Sequence, residues 1–412
     1  MIVLQVLRWL LLAAEIAIAP SILYLLLLTL AAFAAAKKRQ IAQARRSIAA
    51  APAASAERLA FAVLVPAHNE EVILGVLLES LAALNYPKDH YTVCVVADNC
   101  TDGTADLARQ TGWARVYERF DQTKRGKGYA LNWLFQQLAA DHLAYDACVV
   151  LDADSIVDPL LLQAMEQELL RGAEALQAYN GVLNIADSPS TALRWIALAL
   201  INHVRPLGRN GLGCSSTLTG NGMCLRRDLL ARYPWQAFAL GEDYQYYLTL
   251  VEQGVRVRYV PEARVRSEMP TTFAQMKTQD VRWESEVGSK PTWRVALGLV
   301  KAGLAHRDLV RLEGVAELLT PPLSLIAGWC AFMVLASIAL WSLPHLLVSL
   351  ALIIGLVVYL SAPLILLRPP RAVYQALFYA PGFVLWKLWV YFVLRKSKKQ
   401  TSEWVRTSRT SA

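Results

Sequence analysis

Asp152 and Asp154 are two carboxylates one residue apart, and they close a short apolar run that begins at Cys148. Continuous apolar runs of this length read as buried strands. In open α/β sheets, ligands gather beyond the carboxyl ends of the strands. Residues i and i+2 of extended chain point the same way, so both carboxylates can face one cation. Hard Mg²⁺ or Mn²⁺ takes one or two carboxylates together with substrate phosphates. An isolated Asp-x-Asp is more often a solvated turn, so its weight depends on its neighbours in the chain. One such neighbour is Thr123-Lys124-Arg125-Gly126-Lys127-Gly128, just ahead of a helical pattern. Basic residues and glycines at a helix N-terminus suit a pyrophosphate. The spacing is not that of a Walker A loop, and a solvated basic loop is the plain alternative.

Strands and helices that could position these groups are readable on both sides. Phe61–Pro66 is an apolar run leading into Ala67-His68-Asn69-Glu70-Glu71 and a helical pattern through Leu84. Tyr91–Ala97 is a second run, closed by Asp98 and a polar turn to Thr104 that opens another helix. A strand around residues 114–118 and a helix over Tyr129–Leu138 follow. Alternation of strand and helix predicts an α/β fold with a mixed, mostly parallel sheet flanked by helices.

The chain has 412 residues, a net charge of +8 and 55% hydrophobic residues, more than one ordinary domain needs. Much of the positive charge lies beside long apolar segments, which suits the cytoplasmic face of a bilayer and not a nucleic-acid patch. The stretch Trp9–Phe33 carries Glu15 as its only charge, enough for a tilted span. Lys37, Lys38, Arg39, Arg45 and Arg46 follow it and mark the cytoplasmic side. The expected order is an N-terminal membrane helix (1–36), a basic linker (37–60), a cytosolic α/β domain (61–290) and an interfacial amphipathic helix (291–314). Two membrane helices (315–367), a re-entrant or interfacial hairpin broken at Pro381-Gly382 (368–396) and a basic cytosolic tail (397–412) complete it. The six cysteines show neither paired metal spacing nor a disulfide framework. His68, His203 and His306 have no ligand spacing among them.

The order of motifs resembles the inverting GT-A glycosyltransferases of family 2, in particular the membrane-bound synthases of cellulose, hyaluronan, chitin oligosaccharides and poly-N-acetylglucosamine. Val63–Glu71, Asp98, Gly126-Lys127-Gly128 and Asp152-Ala153-Asp154 carry the likeness, over about residues 61–290. Thr219-Gly220-Asn221-Gly222 is similar to the acceptor-side loop, and Gly241-Glu242-Asp243 to the Glu-Asp catalytic signature. Gln279-Asp-Val-Arg282-Trp283 matches the Gln-x-x-Arg-Trp motif. The tail Trp404–Arg409 weakly resembles that of hyaluronan synthases, departing at Val405.

The resemblance implies roles. Asp243 would be the general base, taking a proton from the acceptor hydroxyl as its oxygen attacks the anomeric carbon. Pro66, Glu70, Asp98, Lys127, Asp152, Gln279 and Arg282 would bind a UDP-sugar, Asp98 through the uracil and Lys127 and Arg282 through the diphosphate. Asp152 and Asp154 would hold Mg²⁺ or Mn²⁺. Asn221, Glu242 and Trp283 would face the acceptor. The implied enzyme sits in a membrane, expected to be the bacterial inner membrane, with its catalytic domain cytosolic, and forms β-glycosidic links. A polysaccharide synthase is the first expectation and a non-processive glycolipid glycosyltransferase the second, with oligomers of the chain compatible with either. A non-catalytic nucleotide-sugar-binding subunit of an export complex is the alternative of another class, which need not keep Asp152, Asp154, Asp243 and Arg282 together.

Overall fold

The computed structural model describes residues 2–48, 58–239, 241–271 and 292–395. β1 (Phe61–Ala67) is buried along its length except at Pro66, as a strand covered on both faces must be. It pairs in parallel with β2 (Tyr91–Asp98) and with β4 (Ala147–Val150), and β2 pairs in parallel with β3 (Arg115–Arg119). The expected first three strands are therefore present, each within one residue of its expected ends. Between them run α2 (Leu74–Ala82), α3 (Thr104–Gln110) and α4 (Lys127–Ala140).

Past β4 the sheet becomes mixed. β5 (Ser155–Val157), β6 (Ala175–Val182), β7 (Met223–Arg226) and β8 (Val257–Ser267) complete the order β3-β2-β1-β4-β7-β6-β8-β5. β7 runs antiparallel to both β4 and β6, and β5 antiparallel to β8, while β6 and β8 are parallel. One face is covered by α2 and α5 (Leu161–Leu170), through Leu74, Leu77, Leu81, Leu161 and Met165. The other is covered by α4 and α9 (Glu242–Glu252), through Leu131, Leu134, Tyr246, Tyr247 and Leu250. α8 (Arg227–Arg232) follows β7.

Two helices not foreseen in the sequence leave the sheet between β6 and β7. α6 (Pro189–Ala199) is opened by Ser188, whose side chain accepts from the Thr191 amide in a reciprocal capping box. A π turn over Leu200–Val204 leads into α7 (Arg205–Gly211). α7 lies against α1 (Ile2–Ile48), which continues well past the expected start of the linker at residue 37. Its residues 37–48 are mostly Ala, Lys, Arg and Gln, good helix formers, and Arg39 pairs at 2.7 Å with Glu262 of β8.

The single amphipathic helix expected over residues 291–314 is instead two helices, α10 (Thr292–His306) and α11 (Leu309–Leu319). Asp308 caps α11 by accepting from the Val310 amide at 2.9 Å, and Arg307 turns the corner at φ 50°. The first C-terminal apolar segment likewise begins later than Val315. Pro321-Pro322 separates α11 from α12 (Leu323–Ala339), and the two are bent by 62°. Proline lacks the amide that would continue α11. α13 (Leu343–Leu367) follows. It and Ile2–Ala42 of α1 are each long and apolar enough to cross a membrane, and the bent pair α11–α12 would be a third such crossing if it acts as one span. The interruption expected at Pro381-Gly382 falls just before it, at the 3₁₀ turn Leu377–Tyr379 between α14 (Arg371–Ala376) and α15 (Ala380–Arg395). Pro381 sits in the first turn of α15, where a missing amide costs no helix bond. The basic tail lies outside the described residues.

α1 and α7 approach so closely that a Cβ on Gly208 would stand 2.2 Å from the Leu28 carbonyl oxygen. Gly208→Leu should force the helices apart and destabilise the protein by about 1–3 kcal/mol or more, as overpacked cores do. Melting of the purified protein in detergent measures this. An unchanged transition would show that the two helices do not depend on that contact.

Candidate active site

Asp98 ends β2, and Asp152 stands two residues beyond β4, with β1 between those strands. Because all three strands are parallel, both carboxylates emerge at one edge of the sheet. The loops after β1 and β2 are zipped together there. His68 Nδ1 lies 2.6 Å from the Asp98 carbonyl, Asn69 Oδ1 accepts from the Thr101 amide, and Thr104 Oγ1 accepts from the Glu70 amide. Glu71 Oε2 accepts from the Gly103 amide at 2.9 Å. Pro66 is half-buried in β1 just before this loop.

Asp98 is only 6% exposed, and its Oδ1 accepts from Arg119 Nη1 at 2.6 Å and from Asn99 Nδ2 at 3.1 Å. Burial raises its carboxyl above the usual range, against the opposing pull of the Arg119 guanidinium. Capping of α3 falls to Asp102, which accepts from the Thr104 amide, leaving Asp98 with acceptor capacity of its own. Arg119 had no motif to mark it; a lone arginine closing a strand was the only hint.

Lys127 opens α4 and lies within the acidic cluster. Its Nζ stands 2.5 Å from Asp152 Oδ1, 2.6 Å from the Gly220 carbonyl and 3.7 Å from Glu242 Oε1. Burial works against its charge, but the carboxylates of Asp152, Glu242 and Asp243 outweigh this and hold the ammonium protonated. Gly220 has φ +73°, and a Cβ there would lie 3.0 Å from Asp243 Oδ2. The loop can pass this close to the carboxylate because residue 220 has no side chain. Glu242 and Asp243 form the first turn of α9, where the helix dipole favours negative charge. Burial nevertheless pushes Glu242 up to about 8 and raises Asp243 as well.

Asn221 departs from the acceptor-facing place that the resemblance implied. It is 1% exposed, and its Oδ1 accepts from the Asp152 amide at 3.2 Å. Its Nδ2 donates to Ser155 Oγ at 2.9 Å and Ser267 Oγ at 3.2 Å. With its amide so engaged, Asn221 holds the Asp-Ala-Asp turn against β5 and β8. Gln177 supports the same loop, donating to the Asn221 carbonyl and accepting from the Thr219 amide.

Asp152 and Asp154 offer hard oxygen donors, and no group of three or more His, Cys, Asp or Glu is suited to a metal ion among the described residues. That donor set fits a divalent cation whose remaining sites are filled by ligand phosphates and water. It does not fit an all-protein structural site. Asp154 follows Ala153 in the turn after β4 and is half-buried. His203 is buried against the Tyr259 hydroxyl at 2.7 Å, a structural role. Gln279, Arg282 and Trp283 lie outside the described residues.

Residues 58–285 match the family model described as glycosyltransferase like family 2. The chain is 28% identical over 230 residues to a probable glycosyltransferase, YdaM, of Bacillus subtilis, covering 54% of this chain and 53% of that one. It is 28% identical over 229 residues to a beta-monoglucosyldiacylglycerol synthase of a Nostoc species, covering 54% and 47%. It is 25% identical over 224 residues to a poly-beta-1,6-N-acetyl-D-glucosamine synthase of Staphylococcus aureus, covering 53% and 52%. The matches thus span about half the length of these relatives.

Asn221→Ala would strip the Asp152 amide and two buried serine hydroxyls of a partner. Unmade buried hydrogen bonds of this kind cost about 1–3 kcal/mol. Denaturant unfolding of the variant should show a loss in that range. A variant as stable as the parent would mean that the amide does not hold the turn.

Proposed function

The chain belongs to glycosyltransferase-like family 2, and from that premise we propose that it transfers a sugar from a UDP-sugar to a hydroxyl acceptor at a membrane, inverting the anomeric carbon to give a β-linkage. The reading rests on one observation above all. Lys127, Asp152, the Gly220 carbonyl, Glu242 and Asp243 converge at the same sheet edge as Asp98. Sugar transfer needs a base-recognition group, a phosphate-binding cation and a proton acceptor near one another, and these residues are of the types that fit those three needs.

Asp98 accepts a hydrogen bond from the uracil, with Pro66 at the end of β1 and Glu70 on the adjoining loop. Lys127 turns from Asp152 towards the diphosphate, and the resemblance adds Gln279 and Arg282 on the donor side and Trp283 on the acceptor side. Asp152 and Asp154 would hold Mg²⁺ or Mn²⁺, which when bound offsets the negative charge on the departing diphosphate. The acceptor oxygen attacks the anomeric carbon, the bond from that carbon to the UDP oxygen breaks, and Asp243 takes the hydroxyl proton. Burial raises the basicity of Asp243 towards the value a general base requires. Glu242, beside Asp243 in the first turn of α9, faces the acceptor, as the resemblance implies. No enzyme nucleophile is needed for a single displacement. The apolar helices support a reaction at a bilayer, and the basic residues at the C-terminal end of α1 support a cytosolic catalytic domain, as in a bacterial inner membrane.

Loss of the base should spare the donor site. Asp243→Asn should bind UDP with parental affinity yet transfer sugar roughly 10²–10⁴-fold more slowly. Calorimetry and radiolabel transfer on one preparation separate these effects. A variant that loses UDP affinity but keeps its rate at saturation would move Asp243 into the donor site.

A further inference from the structure

A cavity of about 600 Å³ lies where the α/β domain meets the apolar helices. Tyr244, the residue after Asp243, lines it. So do Ala197, Leu200 and Ile201 at the junction of α6 and the π turn, and the segment Leu318–Leu323 at the bend between α11 and α12. The cavity therefore runs from Tyr244, one residue along α9 from the candidate base, to the point where an apolar helix begins. Ile201 is 42% exposed and Leu319 56% exposed, so the lining continues onto an outward-facing apolar surface at that level.

The charged groups in the lining neutralise each other. Arg205 donates from Nε to the Tyr359 hydroxyl at 2.8 Å and from Nη1 to Glu317 Oε1 at 3.5 Å. Glu317 Oε2 also accepts from the Tyr24 hydroxyl at 3.3 Å. A phosphate head would find no uncommitted cation here among the described residues. A sugar chain would set most of its hydroxyls against the alanine, leucine, isoleucine and proline side chains that make up the larger part of the lining, where they lose their hydrogen bonds to water without replacement. A hydrocarbon chain gains from the same surface. The size is that of a pocket for one small amphipathic ligand, roughly 300–1,000 Å³.

We propose that this cavity is the acceptor pocket and that the acceptor is a neutral lipid alcohol, entering from the bilayer beside the α11–α12 bend and presenting its hydroxyl past Tyr244 to Asp243. The assignment rests on the glycosyl-transfer reading and adds the acceptor class to it. The hydroxyl gives up its proton to Asp243 and its oxygen takes the sugar from the UDP-sugar, so the product is a β-glycosyl lipid and UDP.

The test uses the full chain in phosphatidylcholine nanodiscs, a panel of radiolabelled UDP-sugars and three acceptors: dioleoylglycerol, undecaprenyl phosphate and a soluble oligosaccharide. Label should enter a chloroform-extractable product with dioleoylglycerol. Ala197→Trp, which fills the cavity away from the donor site, should slow that transfer about tenfold or more while UDP affinity stays unchanged. A diazirine-bearing diacylglycerol should crosslink the parent protein within residues 197–201 or 318–323, a readout that does not depend on any variant folding. Label entering only undecaprenyl phosphate or the oligosaccharide, or crosslinks mapping elsewhere, would overturn the proposal. UDP bound with no lipid product would sink the acceptor assignment alone. Failure to bind UDP with no product from any acceptor would remove the glycosyl-transfer reading, and this proposal with it.

Discussion

One ammonium group among carboxylates governs the architecture of the site. Lys127 is delivered by the first turn of α4, Asp152 by the tip of β4, Gly220 by the loop before β7, and Glu242 with Asp243 by the first turn of α9. Three acidic side chains crowded at a partly buried point repel one another, and burial alone disfavours their charged forms. The two deeper ones respond by rising in pKa, while Asp152, at 40% side-chain exposure, sits close to Lys127. A site with this excess of acid is suited to a ligand that brings positive charge with it. Neither the sheet nor the helices would need such crowding for their own stability.

A second ionic assembly fixes that site to the apolar helices. Arg209 is 1% exposed and donates to both oxygens of Glu313, at 2.6 and 2.8 Å, and to the Tyr247 hydroxyl at 2.7 Å. Tyr247 belongs to α9, one turn beyond Asp243, so the helix that carries the candidate base is bonded to α7 and through it to α11. Tyr24 of α1 reaches Glu313 as well, at 2.5 Å. Breaking a buried pair by removing one partner typically costs about 3–5 kcal/mol, because the remaining charge is left uncompensated. The α/β domain is therefore pinned in one register against the apolar helices, as the proposed transfer to a membrane acceptor would need.

The sequence exposed the first half of the sheet well, because β1, β2 and β4 are continuous apolar runs and two of them lead into aspartates of the candidate site. It was silent on α6 and α7: α7 packs chiefly on α1 and α6 chiefly on α14, far along the chain, and both meet the sheet only at β6 and β8, beyond the strands that the motifs outline. Arg205 and Arg209, four residues apart, face Glu313 and Glu317, also four apart. That complementary helical spacing was present in the chain, but nothing local tied two segments a hundred residues distant. The breaks at Asp308 and Pro321-Pro322 had ordinary signals, a capping aspartate and a proline pair, overridden by reading the apolar composition as continuous. Asn221 was placed by its loop motif, whereas its burial between β5 and β8 is a tertiary fact that no motif carries.

The central claim is that the acidic cluster at the strand tips serves a nucleotide diphosphate together with a divalent cation. Calorimetric titration of UDP into the full-length protein, once with Mg²⁺ or Mn²⁺ and once in excess chelator, tests it most directly. The account predicts saturable binding with metal, and binding weakened by about tenfold or more without it, since Asp152 and Asp154 would then face the phosphates as bare negative charge. Equal affinity in chelator, or no binding in either condition, would contradict it.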